Sequence, residues 1–434
     1  MNYYLNIMNK KIKSKFYARA LPIIVLIICC GNVYSAGNKM YPTYKGLIMA
    51  GYQGWFNCEG DGSGESWNHY STEERIKEGY ISIDSWPYTA EYKKKYKTNF
   101  VYPNGEPAYL FSSYDKSTVM THFRWMKEYG IDGVFIQRFV DHLRRREDAI
   151  DTVLNHAMKA SKKYDRAICL MYDMSRFKSE GQELYDALIT DFEGINKKYD
   201  FRNTKNYLHH NGKPLIGLWG VGNKSRSGHY SLEETERIID YFKANNFSVL
   251  VGTSPTWRTL DQRSISDPHL HEVFKKVDIV FPWMGGDVTI EEVETKKKQR
   301  ITADMEWCKK NGIDFVPVAN PGFSWHNMQP TKEFNEVPRE KGRYFWANLT
   351  VNIEVGAEMI YVAMFDEVDE ATAIFKCVQV VPLKPKGSKA RTRFVPYEVP
   401  PDHYLWLTGM AGKMLRNEIP FSKKMPERDM KKVK

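Results

Sequence analysis

Eight runs rich in Val, Ile, Leu and Phe punctuate the chain: "GLIMAGYQGWF", "GIDGVFIQRF", "RAICLMYDMS", "KPLIGLWGVG", "FSVLVGTSPTW", "VDIVFPWMGG", "IDFVPVANPGFSW" and "AEMIYVAMFDE". A strand with one wet face alternates apolar and polar residues, whereas these runs are apolar almost throughout, as strands buried on both faces are. Between them lie stretches with helical spacing, among them "STVMTHFRWMKEYG", "EDAIDTVLNHAMKASKKY", "SLEETERIIDYFKANN" and "YFWANLTVNIEVG". Buried parallel strands joined by helices, repeated eight times, predict a (β/α)8 TIM barrel of the α/β class. A chain of 434 residues could divide in two, but barrels often exceed the usual domain size. No Pro/Ser-rich linker interrupts residues 36–434, so a single domain is expected. The polar, proline-rich stretch 378–401, "VQVVPLKPKGSKARTRFVPYEVPP", reads as a long loop ahead of a closing helix that starts near Asp402.

Barrel sites sit at the carboxyl ends of the strands. Those ends carry Gln53 and Trp55, Gln137 and Arg138, Tyr172 and Asp173, Trp219, then Thr253, Trp257 and Arg258, Trp283, and finally Asn320, Trp325 and His326. A sugar stacks its C–H face on an aromatic ring and turns its hydroxyls to directed hydrogen-bonding groups. Any single Trp or Tyr is more often packing than platform, but aromatic residues at most of the strand ends favour an oligo- or polysaccharide partner.

The opening, "MNYYLNIMNKKIKSKFYARALPIIVLIICCGNVYSAG", sets five cations (Lys10, Lys11, Lys13, Lys15 and Arg19) before an apolar run from Leu21 to Cys30 and a small residue before Ala36. That order predicts a secretory signal peptide over residues 1–35, its apolar segment too short for a comfortable membrane span. The product is expected to be secreted or periplasmic. Cys29 and Cys30 raise a cell-surface lipoprotein alternative, which Ile28 disfavours. Losing the five cations takes the formal charge from +10 to +5. The residual excess belongs to the tail "FSKKMPERDMKKVK", and no basic stripe with interleaved readout residues marks nucleic acid.

Cys58, Cys169, Cys308 and Cys377 include no C-x-x-C pair, so they read as buried small residues or one or two bridges, not zinc ligands. The loop "NCEGDGSGESWNHY" lacks the Gly-Lys-Ser/Thr of a phosphate loop, and its Glu59, Asp61 and Glu65 read as a solvated turn ahead of a calcium site. Neither His-Glu-x-x-His nor Gly-x-Ser-x-Gly occurs. No cofactor, metal or membrane span in the mature protein is expected, and a monomer is.

The last run ends in "IYVAMFDEVDEATAIFK", where Asp366, Glu367, Asp369 and Glu370 crowd onto the end of a buried strand. In an extended chain Glu367 and Glu370 point to opposite faces; in a turn, residues three apart share a side. Two carboxyls in a concave, partly dry site repel each other, which separates their pKa values and leaves one acid and one base near neutrality. Glycosidic bond cleavage uses such a pair. The competing reading, acids decorating a helix N-terminus, leaves the aromatic mouth unexplained. Glu367 and Glu370 are therefore the candidate catalytic residues. The candidate substrate contacts are Trp55, Tyr172, Asp173, Trp219, Trp257, Trp283, Asn320, Trp325, His326, Asp366 and Asp369.

The element "FDEVDEATAIF" resembles "FNEWHEGTQIE" of glycoside hydrolase family 99, the endo-α-mannosidases and endo-α-mannanases, and the chain is similar to family 71/99-like proteins along most of residues 41–416. The resemblance implies a retaining glycoside hydrolase, endo-acting on an α-mannoside-like glycan. Glu367 matches the family's first glutamate, which acts as base on the sugar's 2-hydroxyl in a 1,2-anhydro-sugar route. Glu370 matches the second, which protonates the leaving oxygen and then activates water. Asp366 stands for Asn, Val368 for Trp, Asp369 for His and Ala371 for Gly, so the resemblance supports the reaction class while the sugar specificity stays open. The alternative from another class is a non-catalytic carbohydrate-binding barrel of a glycan-utilisation system.

Overall fold

The computed structural model describes residues 39–428 apart from 74, 78, 227, 228, 285–287 and 385–391; the expected signal peptide lies outside them. Nine parallel strands form one curled sheet. In spatial order they are Asp314–Phe315, Ile279–Pro282, Ser248–Thr253, Lys213–Val221, Ala167–Asp173, Gly133–Phe139, Ile48–Tyr52, Ile360–Val362 and Val318–Ala319. Each apolar run supplies one strand, except that the seventh supplies two. Pro317 accounts for that division, because it has no N–H to give to a ladder. The Val316 N–H donates to the Val280 carbonyl at 3.0 Å, and the Pro317 carbonyl accepts the Tyr361 N–H at 3.1 Å. The fold is a TIM-barrel-like α/β arrangement of curled sheet and helices.

Side chains alternate along each strand, and here both faces are apolar. Met49, Phe135, Met171, Leu250, Phe281 and Tyr361 pack together on the inner face. Ile48, Val134, Leu170, Val251, Ile360 and Val362 pack in the other, larger cluster with the apolar faces of the helices. This is why the runs show so little period-two patterning.

Helices Lys116–Tyr129, Glu147–Tyr164, Leu232–Ala244 and Arg343–Glu354 match the four read from spacing, and the closing helix His403–Leu415 follows Asp402 as expected. Their ends are chemically marked. Ser231 Oγ accepts the Glu234 N–H at 3.0 Å, while Glu147 and Asp148 open, and Lys162 and Lys163 close, the second of these helices in accord with its dipole. Helices Glu183–Tyr199 and Lys298–Lys310, and an antiparallel hairpin of Tyr96–Val101 with Pro107–Leu110, add to that expectation. The hairpin belongs to a long excursion between the first strand and the first helix. The described part of 378–401 runs beside it, the Leu383 N–H donating to the Val101 carbonyl at 2.7 Å.

Cys58, Cys169, Cys308 and Cys377 are all buried and free, so they are core residues and not bridges. No helix among the described residues is long and apolar enough to cross a membrane.

Candidate active site

Strand Ile48–Tyr52 and the loop after strand Ile360–Val362 are laced together. The Phe365 N–H donates to the Gly51 carbonyl at 2.6 Å. A Cβ at Gly51 would sit 2.4 Å from the Met364 sulfur and 2.7 Å from the Tyr361 hydroxyl, so this crossing needs a glycine. The chain then turns. The Asp366 carboxylate accepts the N–H of Gln53 at 2.8 Å on one oxygen and that of Gly54 at 2.9 Å on the other. The Glu367 carbonyl accepts the N–H of Thr372 at 3.1 Å and of Ala373 at 2.9 Å. From the other side the buried Arg339 guanidinium, 4.6 and 4.5 Å from the ring centroids of Tyr397 and Tyr404, donates to the carbonyls of Ala371 at 2.6 Å and Ala373 at 2.7 Å. No helix begins at this turn, so its acids do not serve a helix dipole.

Glu367 is buried and doubly held: Gln53 Nε2 donates to Oε1 and Thr372 Oγ1 to Oε2, each at 2.7 Å. Burial, then the nearby charges of Glu370 and Asp369, push its pKa well above the ordinary carboxyl range, and the two hydrogen bonds oppose that shift. Glu370 is partly exposed at the mouth. Burial and then Asp369 raise it to about 8, with Arg176 acting the other way. Burial, with a smaller contribution from the charge of Asp369, outweighs the backbone hydrogen bonds to Asp366 and lifts it to about 7. Asp369 also rises to about 7, chiefly through burial. The expectation of one raised and one ordinary carboxyl is thus modified. All four acids are raised, because the site is dry enough for desolvation to dominate each of them.

Asp369 has a partner from the excursion. Its Oδ2 lies 3.0 Å from His69 Nδ1, and the imidazole stacks flat on Trp55 at 3.6 Å and 7°. Trp55 stacks in turn on Phe139 at 5.0 Å. The loop that reads as a solvated turn is therefore largely packed, with Cys58, Asp61, Trp67 and Tyr70 buried. Asp61 accepts from Ser112 Oγ at 2.6 Å, Ser63 Oγ at 2.5 Å and the Cys58 N–H at 3.1 Å, which is a structural role. Sequence reasoning passed over His69. The burial of Trp67 and Tyr70 follows from their apolar bulk, but no spacing marks the histidine between them.

Several buried polar atoms contributed by these elements meet no hydrogen-bonding partner among the described residues: Gln53 Oε1, Trp55 Nε1, Asn320 Nδ2, Trp325 Nε1 and Asp369 Oδ1. Three are donors and two acceptors. At the carboxyl ends of strands Lys213–Val221, Ser248–Thr253 and Ile279–Pro282 lies a cavity of about 480 Å³ lined by Trp219, Asn223, Lys224, Thr253 and Trp283, the two tryptophans set edge to face at 6.4 Å. Asp173, the cross-strand neighbour of Trp219, accepts the Ser175 N–H at 2.8 Å and is raised by burial to about 6. Asn320 and Trp325 follow the second short strand of the seventh run, and the Ser324 N–H donates to the Glu370 carbonyl at 3.0 Å.

Four expected substrate contacts are placed elsewhere. Tyr172 points outward, because it is one residue out of phase with the inner Met171, and its hydroxyl donates to Asp191 at 2.5 Å. Its strand-end companion Arg138 faces the same way and pairs with Asp191. Trp257 is fully buried against Trp307 at 4.9 Å and Phe274 at 5.3 Å. His326 Nδ1 is bound to the Lys332 carbonyl of its own loop at 2.9 Å. Asp366 spends both oxygens on backbone N–H groups and clasps the loop instead of facing the mouth.

No family model matches the chain. A glycoprotein endo-α-1,2-mannosidase-like protein of Danio rerio is 34% identical over 112 residues, 25% of this chain and 24% of the relative. The glycoprotein endo-α-1,2-mannosidase of Mus musculus is 30% identical over 103 residues, 24% of this chain and 21% of the relative. The solved structure of the glycoside hydrolase family 99 endo-α-mannosidase from Bacteroides thetaiotaomicron superposes with a TM-score of 0.59 at 15% identity, covering 86% of this chain and 99% of that one. The chain is similar in fold to this glycoside hydrolase family 99 enzyme and, over a quarter of its length, similar in sequence to the two mannosidases. The sequence match spans about a quarter of the length of the curated relatives, and the solved structure bears on the fold.

Two departures from the family 99 acidic element that this chain resembles now have a physical setting. Asp369, where that element has His, is met by a histidine from another loop. Ala371, where it has Gly, keeps a left-handed φ of 49°, a conformation in which glycine carries no Cβ penalty.

Proposed function

We propose that this protein is a retaining glycoside hydrolase, endo-acting on a mannose-containing glycan, with Glu370 as general acid and Glu367 as base. The carrying observation is the set of orphaned buried donors and acceptors, Gln53 Oε1, Trp55 Nε1, Asn320 Nδ2, Trp325 Nε1 and Asp369 Oδ1, on elements that surround two desolvated carboxyls. Such atoms are costly unless a ligand or water satisfies them, and sugar hydroxyls both donate and accept. The named activity of the relatives supports mannose as the sugar. The run Asp314–Ala319, bonded to a different neighbour at each end, supports a closed (β/α)8 barrel as the single domain. The basic-then-apolar opening supports export.

In the route implied by the family resemblance, Glu367 takes the proton of the sugar's 2-hydroxyl as O2 attacks C1. Glu370 passes its proton to the departing glycosidic oxygen, giving a 1,2-anhydro sugar. Glu370 then removes a proton from water as that water attacks C1; the C1–O2 bond breaks, Glu367 returns its proton to O2, and the configuration is retained overall. The Gln53 and Thr372 hydrogen bonds favour the ionised state that Glu367 needs. The raised pKa of Glu370 keeps its proton available near neutrality.

The test is reducing-end release from α-mannans and mannose-containing N-glycans. Glu370→Gln should lose hydrolysis of these by about a hundredfold or more, yet retain far more activity on an α-glycosyl fluoride, which leaves with little protonation. Glu367→Gln should be slow on both. Binding without cleavage by the wild type would favour the non-catalytic barrel.

A further inference from the structure

Outside the carboxyl pair, His69 has the least ordinary setting in the site. Its φ of 60° is left-handed, a conformation that non-glycine residues adopt at a steric cost and that persists where the surroundings enforce it. Its ring is clamped flat on Trp55, and Nδ1 faces Asp369 Oδ2 at 3.0 Å. Asp369 stands between the two glutamates in the chain, and its charge is the main electrostatic influence on Glu370. We propose, on the basis of the hydrolase reading above, that His69 is a positioning residue for the general acid: its Nδ1–H fixes Asp369, whose carboxylate keeps the proton on Glu370 until the leaving oxygen takes it.

An ionised carboxylate only accepts hydrogen bonds, so the contact puts the imidazole proton on Nδ1. The ring must also stay neutral, since an imidazolium would cancel the Asp369 charge and release the Glu370 proton. Burial, together with Arg146 and Arg176, holds His69 well below the ordinary histidine range and so keeps it neutral. The charged and titratable groups around the pair are Asp366, Glu367 and Glu370 on the loop, Arg176, Arg146 with its ion-pair partner Glu65 at 2.9 Å, and His142 beside Asp141. Of these, only the two glutamates on the loop take a proton from or give one to the sugar in the proposed route. The stack on Trp55 gives the imidazole no freedom to turn away, and this ties the aromatic wall of the mouth to the protonation of the acid.

His69→Ala and His69→Asn separate this role from packing. Asn tolerates a left-handed backbone and offers an N–H in the place of Nδ1–H. In His69→Ala the alkaline limb of the kcat/KM profile should move to lower pH by about half a unit or more, because Asp369 loses the donor that favours its charge. On a glycan, kcat should fall about tenfold or more with KM little changed, and activity on a glycosyl fluoride should largely recover. His69→Asn should keep the wild-type limb. An unmoved limb, equal losses on both substrates, or no rescue by Asn would overturn the proposal. The Glu370 carboxyl followed by carbon-13 NMR should titrate lower in His69→Ala than in the wild type. An unmoved titration sinks the His69 role whether or not the protein hydrolyses anything. A moved titration in a protein that cleaves no mannose-containing glycan supports the His69–Asp369–Glu370 coupling and overturns the hydrolase reading alone.

Discussion

Gln53 Nε2 donates to Glu367 Oε1 at 2.7 Å across 314 residues of sequence. The bond favours the charged form of a buried carboxyl against the desolvation that disfavours it. Gln53→Ala should therefore raise the pKa of Glu367 and move the acid limb of kcat/KM to higher pH, with kcat at neutral pH down by about tenfold or more. A pH-rate profile checks this, and an unmoved acid limb would show that the bond has no part in setting the base.

Glu370 should cost the protein stability at high pH. Its folded-state pKa is raised to about 8 from an ordinary 4.5. The unfolded chain thus releases this proton near pH 4.5, while the folded chain keeps it until pH 8. Stability from the retained proton is present below the unfolded value and is lost as pH rises through the folded one. Glu370→Gln should match the wild type near pH 4 and exceed it at pH 9 by roughly 2–4 kcal/mol. Urea unfolding at the two pH values measures the difference, and an equal offset at both would point to packing instead of ionisation.

Ala371 keeps a left-handed φ of 49° with its carbonyl bound to Arg339. Ala371→Gly should relieve the Cβ clash there and raise stability by roughly 0.5–1 kcal/mol, the gain being offset in part by the greater freedom of glycine in the unfolded chain. Thermal unfolding reads the gain. A loss of stability would mean that the methyl group's packing outweighs the strain.

The strands were legible because burial on both faces removes alternation, and that pattern survives in every one of the eight runs. The same property hid the direction of individual side chains. With no wet face to mark the phase, Tyr172 and Asp173 looked like equal candidates, and only the register of Met171 against the inner cluster separates them. The acidic turn was legible as a crowd of charge on an apolar strand. Its protonation was not, since the desolvation that raises all four acids depends on how deeply the turn is set. His69 was illegible for a different reason. Its contact with Asp369 spans 300 residues and rests on a backbone conformation that no side-chain pattern encodes.

The double clasp of Asp366 on Gln53 and Gly54 joins positions 313 and 312 residues apart. Contacts of such long sequence separation carry a large loop-closure cost and form late. A growing chain therefore holds Gln53, His69 and Trp55 for most of its synthesis without the acids that complete them. On the proposed reading the site is complete only once strands Ile48–Tyr52 and Ile360–Val362 have paired, so a chain that stops short of residue 360 would lack it.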